Sequence, residues 1–118
     1  MNYSDYAVKL FDRGYVCSQA VFATFSKDLG LDEEYALKIG ACFGSGMRKG
    51  EVCGACTGAL MALGLKFGDD KQKSNDACVR FLDEFAAENG SYICNDLLNC
   101  DITTPEGVNY AVENNLFK

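Results

Sequence analysis

Apolar residues recur along this chain at helical spacing, and no stretch alternates apolar and polar as a half-buried strand would. That periodicity, cut at intervals by glycine, commits the chain to helices packed on helices. Seven helical segments are expected, and the first covers residues 4–12, with Tyr6, Leu10 and Phe11 inward, before Gly14 ends it. The second starts at Cys17, turns Ala20, Val21, Thr24 and Phe25 to one face, and stops at Gly30. Asp32 is placed to cap a third over residues 33–42, whose first turn is acidic. The fourth runs over residues 53–68, and Ala55, Gly58, Ala59, Leu60, Ala62 and Leu63 leave it apolar on nearly every side. Such a helix is expected at the centre, as the most buried of the set. The fifth covers residues 70–88, with Cys78, Phe81, Leu82 and Phe85 on its inward stripe, and Asn89-Gly90 stops it. A short sixth covers residues 91–98, and Thr104-Pro105-Glu106 starts a seventh that runs toward Asn115. The expected fold is all-α: a compact bundle of six or seven helices around a central apolar helix, with residues 1–118 forming one cysteine-rich helical domain.

At 118 residues the chain is long enough to bury a core without disulfides or a metal. It carries 17 acidic and 11 basic residues, a formal charge of −6, and no block of basic residues. Nucleic acid is therefore not an expected partner. The longest apolar stretch, residues 55–65, falls short of the ~20 residues a membrane span needs, so no membrane insertion is expected. The start, Met1-Asn2-Tyr3-Ser4-Asp5, has neither the basic nor the apolar region of a secretory leader, which points to a cytoplasmic location. Homo-oligomer formation stays open. Histidine is absent. Its absence removes imidazole acid–base chemistry, the Ser-His-Asp triad and every histidine-containing metal site.

Seven cysteines remain as the distinctive chemistry. In a reducing compartment a cysteine cluster reads as metal-binding or redox-active rather than as structural disulfides. The most informative segment is Cys53-Gly54-Ala55-Cys56, a C-x-x-C where the glycine-rich loop 44–50 turns into the fourth helix. A helix N-terminus offers unpaired N–H groups and the positive end of the dipole, both of which favour a thiolate. Cys53 is thus expected to be the low-pKa nucleophile, with Arg48 and Lys49 adding to the effect, and Cys56 lies one turn on to resolve a disulfide or share a metal. No βαβ unit surrounds the motif, so a thioredoxin fold is excluded. Cys17 and Cys94 also fall at expected helix starts, and convergence of the three ends would make a thiol-rich, electropositive pocket. Cys42 and Cys78 read as core residues and Cys100 as an exposed loop thiol. The glycine loop lacks a preceding strand and the P-loop spacing, so it reads as a hinge or close-approach loop. Glu33-Glu34 and Asp69-Asp70 read as solvated helix starts.

At these residues the sequence resembles the redox-active C_GCAxxG_C_C family, related to part of the split-Soret cytochromes. The segments that carry the resemblance are residues 17–21, 43–47, 50–64, 90–98 and 104–107. Residue by residue, the family's cysteines fall on Cys17, Cys53 and Cys94. Its fourth lies beyond a Leu-Phe segment like Leu116-Phe117, and this sequence stops at Lys118. Cys56 departs from the family's usual apolar residue, so Cys56 or Cys100 could stand in for the fourth ligand.

These readings lead to a redox protein that uses a cysteine cluster at helix N-termini, through thiol–disulfide or electron-transfer chemistry, as a thiol-dependent oxidoreductase with an unknown redox partner. Cys53, Cys56, Cys17 and Cys94 are its catalytic candidates. The alternatives are a protein in which Cys17, Cys53, Cys56 and Cys94 hold zinc or an iron–sulfur cluster, or a helical interaction module with buried structural thiols. Cys17, Cys53 and Cys94 are the shared cofactor candidates.

Overall fold

The helix that organises the bundle is α2 (Cys17–Ser26), and its sequence hides the fact. Ser18, Ala20, Phe22, Ala23, Thr24 and Ser26 are all buried, so α2 is enclosed on nearly every side. Three of those six are hydroxyl residues, which mean hydropathy scores as surface. Each hydroxyl finds a backbone carbonyl: Ser18 donates to Gly40 at 2.6 Å, Thr24 to Ala20 at 2.7 Å and Ser26 to Ala23 at 3.0 Å. A buried hydroxyl so paired costs little, whereas an unpaired one costs roughly 1–3 kcal/mol.

This computed structural model describes residues 2–98 together with Thr104 and Glu106. The expected seventh helix and Cys100 lie outside the described residues. Among the described residues the protein is all-α, with six α-helices and no strand beyond a single bridge between Val52 and Ile93. Helix α1 (Tyr3–Asp12) begins on Asn2, whose side chain accepts from the Asp5 N–H at 2.8 Å. Its Leu10 is buried, with Tyr6 and Phe11 packed against the core as their spacing predicts. Helix α3 (Glu33–Ile39) is shorter than expected, because a 3-10 turn at Gly40–Cys42 finishes it. Helix α4 (Gly54–Phe67) follows the glycine loop, with Cys53 as its N-cap residue. Helix α5 (Lys71–Asn89) opens on Asp70, which accepts from the Lys73 N–H at 3.1 Å, and closes on Gly90 at φ +89°. Helix α6 (Cys94–Leu98) is a short final turn.

Helices α1, α3 and α4 pack around α2, and α5 packs against α4. The expectation that the residue 55–65 helix would be the most buried is corrected here. Among the described residues α4 buries only Gly54, Cys56, Gly58 and Ala62, and Leu65 is exposed. Its small, apolar residues serve close approach to α2 rather than enclosure. A Cβ placed on Gly58 would lie 2.7 Å from the Ser18 carbonyl oxygen and 3.2 Å from the Phe22 nitrogen. The helix backbones therefore meet along the first two turns of α4. No described helix is long and apolar enough to cross a membrane.

Candidate functional site

The site begins with the meeting of two helix starts. Cys17 is the first residue of α2, and Cys53 caps α4. The start of α2 is fixed by Gln19, whose side chain accepts from the Val16 N–H at 2.9 Å and donates to the Leu37 carbonyl at 2.8 Å. Ser18 ties the same turn to Gly40. The start of α4 is laid directly on it. A Cβ on Gly54 would lie 3.0 Å from the Ser18 nitrogen, 3.1 Å from the Cys17 Cβ and 3.3 Å from the Phe43 carbonyl oxygen. A side chain at that crossing would press on its neighbours, and glycine keeps the approach close, with Cys53 one residue earlier beside Cys17.

Within α4 the Cys53 carbonyl accepts from the N–H groups of Cys56 at 2.9 Å and Thr57 at 3.0 Å, the expected first turn of a helix. Cys56 is 0 % exposed, while Cys53 and Cys17 are half-buried. Burial pushes the Cys56 thiol up to about 12, and the neighbouring Cys53 sulfur adds to this through its charge and a side-chain hydrogen bond. Burial also raises the Cys17 thiol, again with the Cys53 charge in support. Cys53 is thus the shared neighbour: one side faces Cys17 across the helix interface, the other faces Cys56 one turn along α4.

Cys94 joins the same region through the backbone. The Val52–Ile93 bridge is antiparallel, the Cys53 N–H donates to the Tyr92 carbonyl at 2.7 Å, and the Cys94 N–H donates to the Glu51 carbonyl. A Cβ on Gly46 would lie 2.9 Å from the Cys94 Cβ, so the glycine loop rests on buried Cys94. That loop is strained. Ser45, Gly46, Met47 and Arg48 have φ of 52°, 60°, 58° and 64°, one left-handed turn in succession. Left-handed backbone costs an L-residue roughly 1–2 kcal/mol. The turn leaves Met47, Arg48 and Lys49 exposed at its crest. The charge that moves the Cys17 and Cys56 thiols is that of Cys53.

Two expected core thiols lie further out. Cys42 is exposed, and Cys78 is half-buried on the stripe of α5 that also holds Phe81, Leu82 and Phe85. The acidic starts behave as expected at Asp70, but Glu33 also accepts from Tyr6, and Asp28 accepts from Tyr3. These two pairs line a cleft of about 280 Å³ together with Asn2, Ala23, Thr24 and Lys27. Nothing in the sequence marked it, because the partners are 25 and 27 positions apart.

Among the described residues no group of three or more Cys, Asp or Glu side chains is arranged to hold a metal ion. The zinc and iron–sulfur expectation, with Cys17, Cys53, Cys56 and Cys94 as ligands, therefore finds no fitting donor set there.

The family model described as "Putative redox-active protein (C_GCAxxG_C_C)" matches residues 15–115, which take in Cys17, Cys53 and Cys94. The chain belongs to this family. No curated protein and no solved structure matches it. Family membership supplies a redox class, and the arrangement of thiols around Cys53 supplies the local chemistry on which a more specific reading rests.

Proposed function

We propose that the protein is a thiol–disulfide redox protein in which Cys53 is the nucleophile and a neighbouring protein thiol resolves it. One observation carries the reading: Cys53, partly open to solvent at the head of α4, has the fully buried Cys56 thiol directed at it. Accessibility assigns the attacking role to Cys53, since an incoming disulfide cannot reach Cys56. The reaction is exchange. The Cys53 thiolate attacks one sulfur of a substrate disulfide, a new S–S bond forms, and the other substrate half leaves as a thiolate that takes a proton from solvent. A second protein thiol then displaces the first half from Cys53 and closes an internal disulfide. Two electrons pass from protein to substrate. The opposite direction oxidises a substrate dithiol.

The closeness of the Cys17 and Cys56 thiols gives a mixed disulfide on Cys53 a high effective concentration of resolving thiol. Burial keeps the Cys56 thiol protonated and shields it from outside oxidants. A reducing compartment such as the cytoplasm suits a protein that must be returned to its dithiol form. Cys94, packed beneath the glycine loop, serves to anchor that loop beside the dithiol in this reading.

The test is equilibration in glutathione redox buffers, with non-reducing peptide mapping after acid quench. A Cys53-containing internal disulfide should form and reverse with a single midpoint, and Cys53→Ser should abolish it. If Cys53 stays a free thiol across the whole redox range, this function is excluded.

A further inference from the structure

The position of Cys53 between two thiols raises the question of which one answers first. We infer that Cys17, across the helix interface, is the thiol that first resolves a mixed disulfide on Cys53, giving an oxidised form in which Cys17–Cys53 links α2 to α4. The inference rests on the proposed role of Cys53 as nucleophile and adds a second catalytic residue to it.

The geometry is the main argument. Gly54 and Gly58 bring the first turns of α4 onto Ser18 and Phe22, and the Cys17 Cβ lies 3.1 Å from where a Gly54 Cβ would stand. The adjacent Cys53 is thereby placed beside Cys17, close enough for its charge to act on the Cys17 thiol. Access points the same way. Cys17 is half-buried, so its proton can be lost to solvent, whereas Cys56 is 0 % exposed and has no such route. Protonation supports it. When Cys53 is tied up in a mixed disulfide, its negative charge no longer acts on either neighbour. Burial, the larger cause at both sites, remains. Full enclosure alone still holds the Cys56 thiol up and keeps its thiolate scarce at neutral pH.

The step balances as follows. Cys17 loses its proton to water, and its thiolate attacks the Cys53 sulfur. The bond from Cys53 to the substrate sulfur breaks, and the substrate half leaves as a thiolate that is then protonated. Cys17 and Cys53 are together oxidised by two electrons, and the substrate disulfide is reduced to two thiols.

The experiment is single-turnover reaction of the reduced protein with one equivalent of 5,5′-dithiobis(2-nitrobenzoate) at neutral pH. Release of the coloured thiolate is followed, and the products are quenched and mapped without reduction. With Cys42→Ser and Cys100→Ser as the common background of every variant, the first release reports attack by Cys53 and the second reports resolution. Cys17→Ser and Cys17→Ala should each slow the second release by about tenfold or more, leaving the aryl group on Cys53, while Cys56→Ser slows it by no more than about threefold. Mapping of the unmodified protein should find the Cys17–Cys53 peptide pair first. A Cys56→Ser protein that stalls while the Cys17 variants resolve normally would overturn the inference, as would equal slowing in all of them. If the aryl group never reaches Cys53 in any variant, the failure lies with the proposed function itself, and the first release would then be unaffected by Cys53→Ser.

Discussion

Cys53 and Cys56 stand one helical turn apart, yet burial separates them chemically. Solvent reaches Cys53, while Cys56 is enclosed and its thiol is pushed up to about 12. Iodoacetamide labelling from pH 7 to 10, quantified by peptide mass spectrometry, should therefore modify Cys53 readily and Cys56 hardly at all. Labelling of Cys56 should climb about tenfold per pH unit over that range without reaching a plateau. A plateau for Cys56 below pH 10 would show that its thiol is not held up by its surroundings. Exposed Cys42 should also label early, which the sequence did not lead us to expect. The reason is local. Helix α3 gives way to a 3-10 turn at Gly40–Cys42, which advances each residue by about 120° rather than 100° and swings Cys42 outward. The C-x-x-C at a helix start, by contrast, was legible from spacing alone, because a glycine-rich loop followed by small residues has few other ways to continue.

At the scale of the elements, the α2–α4 crossing is the contact on which the site depends, and two glycines in one helix test it. Gly58→Ala would place a methyl 2.7 Å from the Ser18 carbonyl oxygen, so the helices must part; a loss of roughly 1–3 kcal/mol is expected. Gly64, in the same helix, has nothing within 4 Å of a prospective Cβ. Gly64→Ala should stabilise by about 0.5–1 kcal/mol through helix propensity. Chemical denaturation of the two variants reads both signs, and destabilisation of similar size in each would mean that the crossing is not the cause. Ser18→Ala should cost about 1–2 kcal/mol in the same assay, since it removes the shorter of the Gly40 carbonyl's two bonds at the buried start of α2 and leaves only the Phe43 N–H at 3.4 Å. A change under a few tenths would show that solvent replaces the bond. These contacts also explain why α4 was mistaken for the central helix. Periodicity and mean hydropathy favour a segment rich in alanine and leucine, and they discount Ser18, Thr24 and Ser26. What encloses α2 is the packing of α1, α3 and α4 around it, and its hydroxyls are tolerated there because each bonds a backbone carbonyl, two of them within α2 itself.

For the whole molecule, the buried thiol makes stability depend on alkaline pH. The Cys56 thiol goes from an ordinary value of 9.0 in the unfolded chain to about 12 in the folded one. Between those values the folded state holds a proton that the unfolded state has lost, so unfolding becomes more favourable as pH rises. The contribution is fully present below pH 9 and is lost progressively as pH climbs toward 12, to a total on the order of 2–4 kcal/mol. Cys17 and the phenols of Tyr3 and Tyr6 are raised as well, the phenols by their bonds to Asp28 and Glu33, so they act in the same direction. Their separate effect can be subtracted, because a Cys56→Ala protein retains all of them. That variant should be less stable at pH 7.5, since it leaves a small void at a fully enclosed position of α4. Its unfolding free energy should then fall less steeply between pH 9 and 11 than that of the unaltered protein, so that the two curves converge. Parallel curves would mean that the alkaline loss comes from the tyrosines and lysines. The enclosed thiol next to Cys53 would then be as easily ionised in the folded protein as in the unfolded chain.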